Sequence, residues 1–236
     1  MANQNLRINA GELLNSITTA TKFMTPPAWA SDNSIANSLR LYYNGERFLV
    51  QGLNGHALFS REVPAVAVTG DKPEEAWDAP VLVVWEGVTL LQGVLKAKGK
   101  HARVELSVTD DAVTVDGVAA KRVVNDEWAD TWRKFNEGIL GNPEYIEGHI
   151  PVEGTLMCDA AGAKKLVEIF KACAPNGGVT VKKGLVPKLE EKQKHRNSYW
   201  EFSGNDTRII WMAWRGDADN INERPEPDTS WMDEED

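Results

Sequence analysis

The 236-residue chain is poor in the residues that build cross-links and metal sites: it has two cysteines and four histidines. Cys158 and Cys173 are far apart with no CxxC, and His56, His101, His149 and His195 show no ligand spacing such as HExxH. Neither a disulfide framework nor a zinc site is indicated. Long apolar runs are also missing. The stretch from Ala79 to Val84 is far too short to cross a bilayer, and Met1-Ala2-Asn3-Gln4 is not a basic segment followed by an apolar one. A cytoplasmic protein with no membrane partner is expected. The sequence contains no GxSxG, no Walker loop and no GxGxxG after a strand. The acidic pairs Glu74-Glu75, Asp110-Asp111 and Glu190-Glu191 fall in turn-like sequence, where solvated charge is the default. No catalytic residue, metal or cofactor is expected, and the chain reads as a non-enzyme.

Positive charge is scarce overall, with a net charge of -9, but the deficit is local. Residues 217–236 hold nine acids against Arg224 alone, a net of -8, which leaves -1 on the rest. Local potential rather than total charge governs phosphate attraction, so a near-neutral body with a basic face remains compatible with nucleic acid. With Pro225 and Pro227, the acidic end reads as a flexible tail, 216–236.

What the sequence does contain is a unit seen three times: a short strand, an amphipathic helix, then alternating strands joined by tight turns. In the first, Leu6 to Ile8 precede a helix with Leu13, Leu14, Ile17 and Ala20 at helical spacing, and Asn44-Gly45 joins strands at 38–43 and 47–51. A further strand runs from His56 to Val63. The second begins at Pro80 to Val84, carries Val88, Leu91, Val94 and Leu95 on one helical face, and continues in alternating strands at 103–108 and 112–115. The third has Thr155 to Met157, then a helix with Ala163, Leu166, Val167, Ile169 and Phe170, then strands at 179–182, 198–202 and 208–214. Such repetition, at roughly 70 residues, predicts an α+β fold with helices on one side of curved antiparallel sheets.

Trp128, Trp132, Phe135 and Ile139 lie at helical spacing between the second and third units and read as a connection packing on a core. Gly141-Asn142-Pro143 then marks a boundary, giving a two-unit domain over 1–142 and a shorter one over 143–215.

Basic residues cluster on or beside the helices: Lys22 after the first, Lys96, Lys98, Lys100 and Arg103 at the second, Lys164, Lys165 and Lys171 on the third. Singly, each reads as a solubilising surface residue. Repeated on three equivalent helices, they form a candidate surface for sequence-independent contact with duplex DNA phosphates.

With these units in place, several segments resemble the bacterial sliding clamp, the β subunit of the replicative DNA polymerase. Leu53-Asn54-Gly55-His56-Ala57-Leu58 is similar to the clamp's Thr-Asp-Gly-His-Arg-Leu. Val81 to Val88 resembles its strand-to-helix entry, with Val84 where a proline is usual. Trp211-Met212-Ala213-Trp214-Arg215 resembles its closing Met-Pro-Met-Arg. The resemblance implies a processivity factor, assembled as a homo-oligomeric ring on DNA. It also implies a hydrophobic pocket for short peptides of a DNA polymerase and a clamp loader, lined by Gly55, His56, Leu58, Val84, Val88, Met212 and Trp214. Clamp domains usually hold two units and closed rings about twelve, whereas this chain shows three clear units and at most a degenerate fourth at 125–150. Trimer, tetramer, dimer and non-ring assemblies all remain open, as does an adaptor that binds partners without encircling DNA. Compact size and the acidic tail point to a phage-type protein.

Overall fold

A computed structural model describes residues 5–26, 37–54, 57–68, 77, 80–123, 160–174, 177–185 and 198–211. Strand β1 (Leu6–Asn9) passes directly into helix α1 (Ala10–Thr21). The junction is set by Asn9, whose extended backbone leaves its Oδ1 to accept the Glu12 amide at 3.0 Å and so satisfies one of the helix's free donors. Leu13, Ile17 and Ala20 are buried, while Glu12, Asn15 and Thr18 are exposed. The second unit repeats the plan with β6 (Val81–Val83) entering α2 (Trp85–Lys98), which buries Val88, Leu91 and Leu95 and ends at Gly99, held at φ 85°. The third contributes α3 (Ala160–Cys173).

Behind each helix come antiparallel strands: β2 (Leu39–Tyr43), β3 (Phe48–Leu53), β4 (Ala57–Val63) and β5 (Ala65–Ala67) in the first unit. The second has β7 (Arg103–Val108), β8 (Ala112–Val115) and β9 (Val118–Val123), and the third β10 (Thr180–Leu185), β11 (Ser198–Gly204) and β12 (Thr207–Trp211). Two of the turns are two-residue loops with positive φ at both positions, Asp116-Gly117 (47° and 82°) and Asn205-Asp206 (44° and 59°). That geometry matches the right-handed twist of the strands it joins.

Among the described residues all twelve strands form one antiparallel sheet in the order β10-β11-β12-β4-β3-β2-β6-β9-β8-β7-β1-β5. The first two units exchange strands: β2 pairs with β6 of the second, and β7 pairs with β1 of the first. The third joins through β12, which pairs with β4 from Thr207↔Arg61 to Trp211↔Ala57. Alternate residues of these strands, among them Leu39, Leu41, Phe48, Val50, Phe59, Val104, Leu106 and Ile209, meet the helices in one core. At Gly52 a Cβ would lie 2.4 Å from the Ala20 carbonyl oxygen, so the absence of a side chain is what lets β3 and the end of α1 approach.

The α+β class and the helix-on-sheet plan agree with the sequence reading. Strands β5 and β9 were not expected; Val66 is 64% exposed, and β9 alternates weakly. The apolar residues of the third helix do not all face the sheet; Leu166 is half-buried against the core. Ile169, Ala172 and Cys173 are buried, whereas Val167 and Phe170 are 51% and 41% exposed. Positions 169, 172 and 173 lie together on one side and the helical period carries Val167 away from it, while Phe170, at the margin, sets its ring edge-on to that of the buried Phe202 with centroids 5.8 Å apart. The domain boundary at 142/143, the aromatic stripe and the tail fall outside the described residues. No helix among them is long and apolar enough to cross a membrane.

Candidate partner cleft and DNA-facing helices

The candidate cleft begins from strand alternation. On β4, Ala57 and Phe59 belong to the core, so Leu58 between them points to the face of the sheet opposite the helices. It is nevertheless 2% exposed, and its neighbours across the ladders are Leu53 of β3 and Ile210 of β12. Because the β4–β12 pairing is antiparallel, with Ala57 opposite Trp211, the chain enters β4 at the same end at which it leaves β12. Leu58 and the closing strand are thus brought together. Gly55, His56, Met212 and Trp214 lie outside the described residues. Ile210 is a neighbour the sequence reading missed; its signal was the alternation of β12, in which Thr207 and Ile209 point to the helices.

Val88 is not part of that grouping. It is 1% exposed and packs with Leu91 and Leu95 between α2 and the sheet, on the face opposite Leu58. Helical spacing from Leu91 turns it inward, so its role is core packing. Val84, half-buried, is the residue before α2 and makes no side-chain cap.

The cations sort by what they touch. Lys22, Lys96, Lys100, Lys164 and Lys171 are exposed, and Lys96 lies on the outer side of α2, away from Val88, Leu91 and Leu95. Lys98 is turned to Asp116, Nζ to Oδ2 2.7 Å, and that hydrogen bond, with the Glu105 amide, holds the Asp116 carboxyl below its usual range. Arg103 is exposed on β7, where Val104 and Leu106 are the core residues, so it projects from the sheet's other face rather than from the helices. Lys165 is committed to the fold. Its Nζ donates to the Lys22 carbonyl at 2.8 Å, pairs with Glu168 at 3.3 Å and sits 4.2 Å from the centroid of Phe23. The exposed side of α1 carries Glu12, Asn15 and Thr18, and Thr18 Oγ1 accepts from Gln92 of α2 at 3.3 Å.

Two polar clusters escaped the sequence reading. Arg61 on β4 donates through Nε to Thr207 Oγ1 at 2.7 Å and through Nη2 to the Ala172 carbonyl at 2.6 Å, clasping the first unit to β12 and to the end of α3. Burial lowers its pKa. Across β2, β3 and β4, Arg40 donates to Gln51 and Gln51 donates to Ser60 Oγ at 2.9 Å, all buried on the face that carries Leu58. Burial brings Arg40 down to about 9. Among the described residues no group of three His, Cys, Asp or Glu could hold a metal ion.

Comparison with solved structures supplies the architecture's precedent. The chain superposes on the DNA polymerase sliding clamp of Bacillus subtilis with a TM-score of 0.54, at 12% identity, over 95% of this chain and 68% of that one. The fold is that of the bacterial sliding clamp. The clamp of Pseudomonas aeruginosa gives 0.52 at 13% identity over 90% and 66%, and a putative DNA polymerase III β subunit from Eubacterium rectale gives 0.51 at 8% over 96% and 68%. The chain therefore spans about two thirds of the length of those clamps. No protein-family model and no curated protein matches the sequence. The clamp fold thus stands on the path of the chain.

Proposed function

We propose that this protein is a DNA sliding clamp, a non-enzymatic processivity factor that holds a DNA polymerase on duplex DNA. The observation that carries the reading is the clamp fold, with the three helices of the described residues on one side of a continuous sheet and exposed Lys96, Lys164 and Lys171 on two of them. Ammonium groups on helix surfaces meet phosphates without reading bases, which is what a protein that moves along DNA requires. Lys22 and Lys100, exposed at the ends of α1 and α2, join that set. Lys98, Lys165 and Arg103 do not.

Polymerase and clamp-loader peptides are assigned to the β4–β12 seam, near Leu58 and Ile210, with Gly55, His56, Met212 and Trp214 from the adjoining segments of the sequence. A homo-oligomeric ring, a cytoplasmic setting and a phage-type origin complete the proposal. A second reading, a clamp-shaped adaptor that binds proteins only, is favoured by one observation: the exposed side of α1 is Glu12, Asn15 and Thr18.

Fluorescence anisotropy on a labelled duplex across a salt series separates the two. The clamp reading predicts log affinity falling linearly with log salt, with a slope of about -0.9 per phosphate neutralised. Reversing Lys96, Lys100, Lys164 and Lys171 to Glu flattens that slope. A salt response equal in parent and variant, or no DNA binding at low salt, leaves the adaptor.

A further inference from the structure

The chain keeps its charge in two parts. Residues 217–236 hold nine acids against Arg224, and the rest is close to neutral. On the helix side, the start of α3 meets the end of α1: Lys165 Nζ donates to the Lys22 carbonyl and lies over the Phe23 ring. That contact brings exposed Lys22 to the same end of α3 as exposed Lys164. Lys164 and Lys171 stand two helical turns apart, about 10 Å along the axis, and Val167, 51% exposed, lies between them on the same side. The helix thus offers a cation, an apolar side chain and a second cation in line.

The acidic residues follow the strand that lies beneath this helix. α3 rests on β11 and β12, and Arg61 ties the Ala172 carbonyl, near the helix end, to Thr207 at the start of β12. Toward the helix start, Lys165 lies over Phe23, Phe23 stacks on Phe59 with centroids 5.4 Å apart, and Phe59 is opposite Ile209. β12 therefore runs from the end of α3 toward its start, and at Trp211 it leaves the chain on the Lys22 and Lys164 side. Residues 212–236 follow. A flexible chain of about 25 residues has an r.m.s. span of about 25–30 Å, more than the roughly 21 Å length of a 14-residue helix such as α3.

We infer that residues 228–236 dock on α3 of their own chain, with Trp231-Met232 against Val167 and the flanking acids on Lys22, Lys164 and Lys171, withholding that surface from other polyanions. Asp228 precedes Trp231-Met232 and Asp233 to Asp236 follow it, so the segment repeats the order of α3 with opposite sign. Charge alone would hold the segment diffusely; the apolar pair gives it one register on the helix. An intramolecular effective concentration of about 1 mM against a site Kd of about 0.1 mM leaves the surface free about a tenth of the time, and lowers the apparent affinity for a competing polyanion by that factor. The contact is a property of the chain itself. Only the identity of the displacing polyanion, duplex DNA, rests on the proposed function.

Lysine acylation of the full chain by the N-hydroxysuccinimide ester of acetic acid, followed residue by residue by mass spectrometry, tests the contact without DNA. Neutralising the flanking acids (Asp228→Asn, Asp233→Asn, Glu234→Gln, Glu235→Gln and Asp236→Asn) should speed acylation of Lys164 and Lys171 at least about threefold. Trp231→Ala, which leaves every charge in place, should speed it in the same direction. Lys121 is the control: exposed on β9 beside the core residue Ala120, it faces away from the helices and should react equally in all three chains. Rates should not change with protein concentration, because both partners share one chain. Equal rates at Lys164 and Lys171 in parent and variants, a gain shared by Lys121, or protection lost on dilution overturns the inference. Fluorescence anisotropy on a labelled duplex then separates it from the DNA reading. The neutralised chain should bind about tenfold tighter than the parent at low salt, with the gap closing as salt rises. Lysines protected in the parent, with no DNA binding by either chain, overturn the DNA reading alone; DNA binding equal in both chains, over unprotected lysines, overturns the docking alone.

Discussion

At the residue scale, Arg61 does the most to join the third unit to the first. Its two donors reach partners on different elements, Thr207 on β12 and the Ala172 carbonyl near the end of α3, and the same guanidinium lies 5.5 Å from the Phe59 ring centroid. Arg61→Met keeps the stem but strands both acceptors. Hydrogen bonds from a charged donor are worth about 1.5–3 kcal/mol each, partly returned when water enters, so a loss of about 2–3 kcal/mol is expected in urea unfolding. Arg61→Lys should recover little, because one ammonium cannot reach both acceptors in the fork geometry. Cys173 gives a second residue-level test. Burial pushes its thiol from 9.0 to about 11, so the folded protein holds the proton more tightly than the unfolded chain. That contribution is complete below pH 9 and is lost as pH rises through 11; Cys173→Ala should remove this alkaline fall in stability, seen in melting temperatures from pH 8 to 11.

At the scale of elements, legibility followed periodicity. Leu13, Ile17, Leu91 and Leu95 recur at helical spacing, and burial follows it. Asn44-Gly45 marked its turn because glycine tolerates positive φ, and Gly45 stands at 96°. On the third helix Val167 is the departure: it shares its side with exposed Lys164 and Lys171, while Ile169 and Cys173 are buried and Phe170 meets the Phe202 ring. Val88 misled in the opposite way, since a resemblance in sequence says nothing about which face of the sheet a residue occupies. Arg61 and Arg40 left no local signal because their partners are remote or on neighbouring strands. Gly52 is the element-level prediction. Gly52→Ala sets a Cβ against the Ala20 carbonyl, backbone that cannot swing aside, and should cost about 1–3 kcal/mol as an overpacked site, read as a lowered urea midpoint with an unchanged slope.

At the scale of the whole molecule, the seam between β4 and β12 joins two claims. It carries the sheet from the first unit into the third, and it carries Leu58 and Ile210 on the face away from the helices, so under the proposed function a partner held there would leave the helix side free for DNA. Leu58→Ala, which hollows the buried neighbourhood of Leu53 and Ile210 without burying a charge, should weaken binding of a polymerase-derived peptide several-fold, with sedimentation showing the assembly unchanged. The proposed clamp would hold DNA by surrounding it. The direct measurement threads the protein onto linear duplex with biotin at both ends, adds streptavidin to half the sample, and passes each half through gel filtration in high salt. Encirclement predicts protein co-eluting with the blocked duplex and absent from the open one. Equal loss from both, or equal retention on both, would contradict it.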